Sequence, residues 1–361
     1  MSKYGSFFVQ MEKPVFAPGD QVNGMIYLNL LIDFPATHIE LKLEGKEKVK
    51  YYVSVRKYDY TDQEGHEHYK TEYESRSDSH KCFKYKFPCA TFNGGFVPMG
   101  QYQIPFQFFL PNDLPSTFYY KWYNHGECHA KIHYKAKATL ESSDGNDLLK
   151  NKFDIVINAA PKKGISQKRV DINKEVVSWC CLNKGKFKMT SWFEKDAYMP
   201  GETAMLVVEA ENNTSVECKS MKGNFTQEVI IKNGRARDKR ILNMVEAPGL
   251  APGEKYVGQE AKRIAIPLSG TRIKGGDDEG TSNTSVDGYL IDCNFYVSAQ
   301  TEMDACICCD KHPKSEIYIT LYNAIPTVSH QFQPPMNWAP KVMDPYVANL
   351  LPEFDIQVQQ G

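Results

Sequence analysis

The sequence lacks any apolar run near the ~18 residues that cross a bilayer. Its opening, MSKYGSFFVQMEKPVF, holds no apolar stretch of secretory-leader length. Both absences point to a cytoplasmic chain. An excess of one charge is missing too: 43 Lys and Arg stand against 44 Asp and Glu, a formal net charge of -1. That balance excludes bulk attraction to nucleic acid or anionic membrane and leaves only local patches. No long amphipathic helix can be written on the chain. A serine nucleophile elbow, a phosphate-cradling glycine loop and a zincin motif are also missing. No pair of carboxylates is marked for acid–base work, so an enzyme is not expected.

What the sequence has is alternation of period two. Ile39, Leu41 and Leu43 alternate with Glu40, Lys42 and Glu44, and Ala130, Ile132, Tyr134 and Ala136 alternate with Lys131, His133 and Lys135. Ile291, Cys293, Phe295 and Val297 repeat the pattern. Each run gives a strand one apolar and one wet face, the signature of half-buried antiparallel sheet. Turn chemistry separates the runs at Pro18-Gly19-Asp20, Asn93-Gly94-Gly95, Pro200-Gly201-Glu202 and Pro252-Gly253-Glu254. Many short strands between such turns, over 361 residues, predict two sandwiches.

The halves echo each other. Phe16-Ala17-Pro18-Gly19-Asp20 and Tyr198-Met199-Pro200-Gly201-Glu202 each open a strand, and Tyr102-Gln103-Ile104-Pro105-Phe106 resembles Arg263-Ile264-Ala265-Ile266-Pro267. Two echoes in one order point to duplication. The expected organisation is a first sandwich over 1–158, a linker over 159–182, a second sandwich over 183–327 and a Pro-containing tail over 328–361. The polar run from Lys274 to Asp287 is expected to be a loop.

Candidate chemistry is sparse. Ten cysteines are present, and in a cytoplasmic chain they should be mostly reduced. Cys306 and Cys309 have knuckle-like spacing, and Cys180 and Cys181 could supply the other half of a four-thiolate structural zinc site. The alternatives are free, partly buried thiols or a palmitoylated pair. No other cofactor is expected. Arg235, Arg237, Lys239 and Arg240 could grip phosphopeptide or phosphoinositide phosphates. Lys46, Lys48, Lys50, Arg56 and Lys57 form a second basic group, which period-two spacing equally explains as a solvated strand face. His125, Cys128, His129 and His133 have metal-like spacing, but His129 and His133 share parity with lysines that would repel a cation. Six tyrosines, Tyr51, Tyr52, Tyr58, Tyr60, Tyr69 and Tyr73, crowd one region and suit either an interface or sheet packing.

Gly100 to Phe108, followed by Leu110-Pro111-Asn112-Asp113-Leu114-Pro115, resembles the hallmark segment of the arrestin N-terminal domain. Pro18-Gly19-Asp20 and Leu43-Glu44-Gly45 fit the same pattern. Gly185-Lys186-Phe187, Tyr198 to Glu202, Glu211-Asn212-Asn213 and Leu290-Ile291-Asp292-Cys293 are similar to the arrestin C-terminal domain. Cys180-Cys181 resembles a cysteine cluster of the arrestin domain-containing, or α-arrestin, branch.

The resemblance implies an all-β arrestin fold, two tandem immunoglobulin-like antiparallel sandwiches with a short extended tail. It also implies a non-enzymatic adaptor for membrane cargo tails, ubiquitin ligases or coat components in protein transport and endocytosis, with peripheral membrane association. There is one departure. The branch's Pro-Pro-x-Tyr tail motif is represented only by Pro334-Pro335-Met336-Asn337-Trp338. That leaves a second reading open, a permanent structural subunit of a ciliary, cytoskeletal or coat assembly.

Overall fold

The structure is a computed structural model and describes residues 3–145, 148–160, 169–179, 182–232, 236–269, 284–305, 312–327, 329–344 and 346–347. The first sandwich is built from β1 (Gly5–Met11), β2 (Val15–Phe16), β3 (Gln21–Leu30), β4 (His38–Thr61), β5 (Glu67–Thr91), β6 (Gly100–Phe109), β7 (Phe118–Tyr123), β8 (Glu127–Glu141) and β9 (Leu148–Ile157). The second begins with β10 (Val170–Ser178), β11 (Leu182–Phe193), β12 (Ala197–Tyr198), β13 (Thr203–Thr214), β14 (Cys218–Ile231) and β15 (Ala236–Leu250). It ends with β16 (Lys255–Tyr256), β17 (Lys262–Pro267), β18 (Val286–Asp287), β19 (Ile291–Met303) and β20 (Lys314–Leu321). The tail adds β21 (Lys341–Val342) and β22 (Tyr346–Val347).

Both sandwiches follow one plan. One sheet of the first runs β1-β3-β6 and the other β2-β9-β8-β4-β5. The second repeats this with β11-β13 and β17, and with β12-β20-β19-β14-β15. Even the parallel pairs correspond, β2 with β9 and β12 with β20. The duplicated turns match in detail. Gly19 (φ 80°) and Gly201 (φ 90°) take the left-handed conformation open to glycine. Asp20 Oδ2 accepts from the Ala17 amide at 3.0 Å, and Glu202 Oε2 accepts from the Met199 amide at 2.7 Å.

Alternation places the core. Ile39, Leu41 and Leu43 of β4 are buried with Ile132, Tyr134 and Ala136 of β8, and Phe225, Phe295 and Val297 do the same in the second half. Burying each of the large aliphatic and phenyl side chains among them stabilises by about 1.5–3 kcal/mol. The chain departs from expectation at β10. Its Val170 and Ile172 pair with Ser191 and Met189 of β11, and Val176 is buried at a bulge, so β10 forms the edge of the second sandwich inside the stretch read as linker. Lysine, Asp and Glu between those three hide the alternation. Residues 161–168 of that linker, and 270–283 of the polar loop, lie outside the described residues.

β8 leaves β4 at the Lys50–His129 pair, yet β4 and β5 continue paired to Thr61 and Glu67. A two-stranded ribbon roughly 35 Å long therefore projects from the sandwich. One face is laced by Lys57 to Glu72 and Glu74, at 2.9 and 3.0 Å. The other carries the edge-to-face pair Tyr58–Tyr69 and Tyr73 stacked on His125.

Candidate functional site

Arg237, Lys239 and Arg240 all lie on β15, but they do not form one anion grip. Arg237 faces Glu228 at 3.5 Å. Lys239 sits over the Tyr296 ring at 4.9 Å, and the neighbouring Tyr296 phenol is the first cause that raises its pKa. Arg240 turns toward the first sandwich, where it bonds Asp238 at 2.8 Å and donates to the Lys121 carbonyl at 3.0 Å. Arg235 lies outside the described residues, as do Cys180, Cys181, Cys306 and Cys309. The cysteines that are described, Cys82, Cys89, Cys128, Cys218 and Cys293, are free. Burial pushes their thiols up, Cys82 and Cys293 to about 12, so they are poor nucleophiles and poor metal ligands.

What the polar residues do build is a joint between the sandwiches. Glu47 of β4 is only 1% exposed. Its carboxylate accepts from the Tyr289 amide at 2.7 Å and the Leu290 amide at 2.8 Å. A side chain at Gly288 would strike that carboxylate at 2.7 Å. Lys232 holds the same segment through Asp287 at 2.8 Å and Asp292 at 3.0 Å. Tyr289 also stacks on His80 of β5 with ring centroids 4.0 Å apart.

A second contact joins Tyr120 of β7 to Asp238 at 2.5 Å, with the Arg240 guanidinium 4.6 Å from the Tyr120 ring. Burial first, then the Asp238 bond, pushes the Tyr120 phenol far above its ordinary value. A buried carboxylate bonded to two amides is a strong, directional tie. Little in the sequence marks it, because Glu47 sits between Lys46 and Lys48 and its partners are backbone groups.

The tail docks on the first sandwich. β21 and β22 pair in parallel with β6, Lys341 opposite Tyr102 and Tyr346 opposite Phe106. The Ala339 amide donates to Gln101 Oε1 at 2.8 Å, and Trp338 packs edge-on to Phe8 at 5.8 Å. The segment that departs from Pro-Pro-x-Tyr is thus a structural anchor, turned by the Trp338 amide donating to the Pro335 carbonyl at 3.1 Å. The opposite edge of this sheet, β1, pairs only with β3 among the described residues.

Of the second basic group, Lys46, Lys48, Lys50 and Arg56 lie on the outward face of β4, whereas Lys57 lies on the reverse face of the ribbon. Cys128 is buried and points at the Asn124 and Gly126 carbonyls. His129 and His133 stand on the outward face of β8 opposite Lys50 and Lys46. Among the described residues no set of His, Cys, Asp and Glu is arranged to hold a metal. A shallow depression near Thr37, Phe87 and Phe92 contains the Glu40–Lys86 ion pair and His38, whose Nδ1 lies 3.1 Å from the exposed Thr37 hydroxyl.

Comparison with known proteins bears on this architecture. Residues 6–160 match the family described as Arrestin (or S-antigen), N-terminal domain, and residues 183–326 match Arrestin (or S-antigen), C-terminal domain. Arrestin domain-containing protein A of Dictyostelium discoideum is 31% identical over 217 residues, covering 58% of this chain and 35% of that protein. Arrestin domain-containing protein 17 of Caenorhabditis elegans is 23% identical over 294 residues, covering 74% of this chain and 62% of that protein. The matched region thus spans between a third and two thirds of those relatives' length. No helix among the described residues is long and apolar enough to cross a membrane.

Proposed function

The chain belongs to the arrestin family, and on that premise we propose that it is a non-enzymatic adaptor. It would link membrane cargo tails to trafficking machinery at the cytoplasmic face, in protein transport or endocytosis. One observation carries this reading. β6 takes up extended chain through main-chain pairing, with β21 and β22 as its present occupants. Strand addition at a sheet edge is a general mode of peptide recognition, and β1 offers a further edge. The joint through Glu47 holds two such sandwiches as one unit, which suits a scaffold.

The zinc site at Cys180, Cys181, Cys306 and Cys309 stays a proposal from sequence. Metal analysis of native protein should find about one zinc per chain, and a content well below that ends the idea.

The adaptor reading is tested by isolating the native protein under gentle and then high-salt conditions and identifying what co-purifies. Membrane proteins, ubiquitin ligases or coat proteins released by salt are expected. A fixed set of structural proteins that survives high salt would replace the adaptor with a permanent subunit of an assembly.

A further inference from the structure

The outward face of the first sandwich carries lysines in register. Lys42 of β4 lies directly opposite Lys86 of β5 on one side and Lys137 of β8 on the other. Lys137 in turn lies opposite Lys152 of β9. One row of lysine therefore crosses four strands. Further along, Lys46 lies opposite Lys81, and Lys48 opposite Lys131. Strands ~4.8 Å apart set these cations side by side, and like charges directly opposed destabilise a sheet. Glu40 pairs with Lys86 at 2.7 Å and Glu44 with Lys46 at 2.9 Å. Among the described residues, no carboxylate lies within ion-pair distance of Lys42, Lys137, Lys152, Lys48 or Lys131.

The duplicated sheet is an internal reference. Aligned on their shared bulges, after Gly45 in β4 and after Phe225 in β14, Lys42 corresponds to Lys222. The matching row reads Glu246, Lys222, Gln300, Lys314. Its lysines are paired, Lys222 with Glu302 and Lys314 with Glu316. The fold itself therefore does not ask for four lysines abreast. A chain of net charge -1 that gathers unpaired lysines on one sheet presents a local anion-seeking face.

From this geometry we infer that the outward face of β5, β4, β8 and β9 docks on an anionic bilayer surface. The charges spread over roughly 15 by 25 Å of sheet, wider than the track of a single peptide. They are flexible lysine point charges, where a built phosphate clamp would use the guanidinium fork. Tyrosines flank them on the same face. Tyr119 and Tyr123 stand on β7, Tyr123 81% exposed, and Tyr58, Tyr69 and Tyr73 line the ribbon. Tyrosine suits headgroup depth, with an apolar ring and a wet hydroxyl.

The test is co-sedimentation of the full chain with protein-free vesicles of phosphatidylcholine, alone or with phosphatidylserine. Because the vesicles hold no cargo, the result is separable from the adaptor reading. Binding is expected only to the phosphatidylserine vesicles at about 0.1 M salt, with release at about 0.5 M as screening shortens. The variant Lys42→Gln/Lys137→Gln/Lys152→Gln should bind about a hundredfold more weakly, near fivefold per lysine. Its Lys→Arg counterpart should bind like the native chain, as should Lys186→Gln/Lys188→Gln/Lys219→Gln in the second sandwich.

Equal binding to both vesicle types, retention at high salt, or native-like binding by the folded Gln variant would overturn the inference. So would binding of an acidic or phosphorylated peptide that needs these lysines while vesicles do not bind, which would assign the face to a protein partner.

Discussion

The turn before β3 is Pro18-Gly19-Asp20 and the turn before β13 is Pro200-Gly201-Glu202, with the same carboxylate-to-amide bond in each. The strand orders that follow share β1-β3-β6 with β11-β13-β17 and β2-β9-β8-β4-β5 with β12-β20-β19-β14-β15, while β10 and β16 are additions of the second. Against that shared frame the two sandwiches diverge at two kinds of position. The buried polar position on the fourth strand is Glu47 in the first and, by bulge alignment, Gln227 in the second. Glu47 reaches across to the other domain, whereas Gln227 bonds Cys293 within its own, at 3.4 Å. The outward rows also differ, lysine throughout in one and paired or neutral in the other. Where two copies of a fold agree, the residues answer to folding. Where they part, they answer to what each domain does.

The largest effect on stability should come from breaking the asymmetric joint. Glu47→Ala strands the buried Leu290 amide and the half-buried Tyr289 amide and removes charge-assisted bonds, and should cost about 2–4 kcal/mol in denaturant unfolding. Gln227→Ala, at the corresponding position, should cost about 1 kcal/mol. Equal losses would dissolve the distinction between a joint and an internal bond.

The duplicated glycines give the next contrast. Gly201→Ala suffers only from its positive φ, about 1 kcal/mol, since no atom lies within 4 Å of the added carbon. Gly19→Ala also drives its new carbon into Asn112 Oδ1 and should cost more. Thermal unfolding of both variants decides it. Replacing Tyr120 by Phe removes one bond to Asp238 and should cost about 1 kcal/mol.

A smaller effect is one of pH. His129 and His133 sit below the ordinary imidazole value. Burial is the first cause for both, followed by Lys50 for His129 and Lys131 for His133. Lys121 and Lys48 add to the depression, while Glu127 and Asp154 oppose it. As pH falls below about 6.5, the unfolded chain protonates first, so stability present above that pH is lost toward the depressed folded values. An anionic surface favours the protonated rings, so vesicle binding should tighten over the same interval. His129→Gln/His133→Gln should flatten both trends, and unaltered trends would place their origin elsewhere.

Much of the fold was legible because burial writes itself on strands as alternation. Ile39 to Leu43 and Ala130 to Ala136 needed no more than that, and the turn echo disclosed the duplication. β10 was hidden because an edge strand tolerates polar residues on both faces. The joint was hidden for another reason. Glu47 bonds to backbone amides some 240 residues away, and one-dimensional patterns carry no trace of such a partner. Arg240 reads in sequence as one of a basic cluster, yet Asp238, two residues away, takes up its charge. The lysine face was half visible. Lys46, Lys48 and Lys50 on one strand look like any solvated edge, and only pairing with β8 and β9 sets Lys131, Lys137 and Lys152 beside them.

The most direct measurement is a lysine-reactivity footprint of the native chain, free and bound to membranes from its own cells. Protection is expected at Lys42, Lys137 and Lys152 of the first sandwich, with Lys188 and Lys219 of the second still reactive. Even protection of both sandwiches, or protection confined to the second, would contradict the division of labour between them.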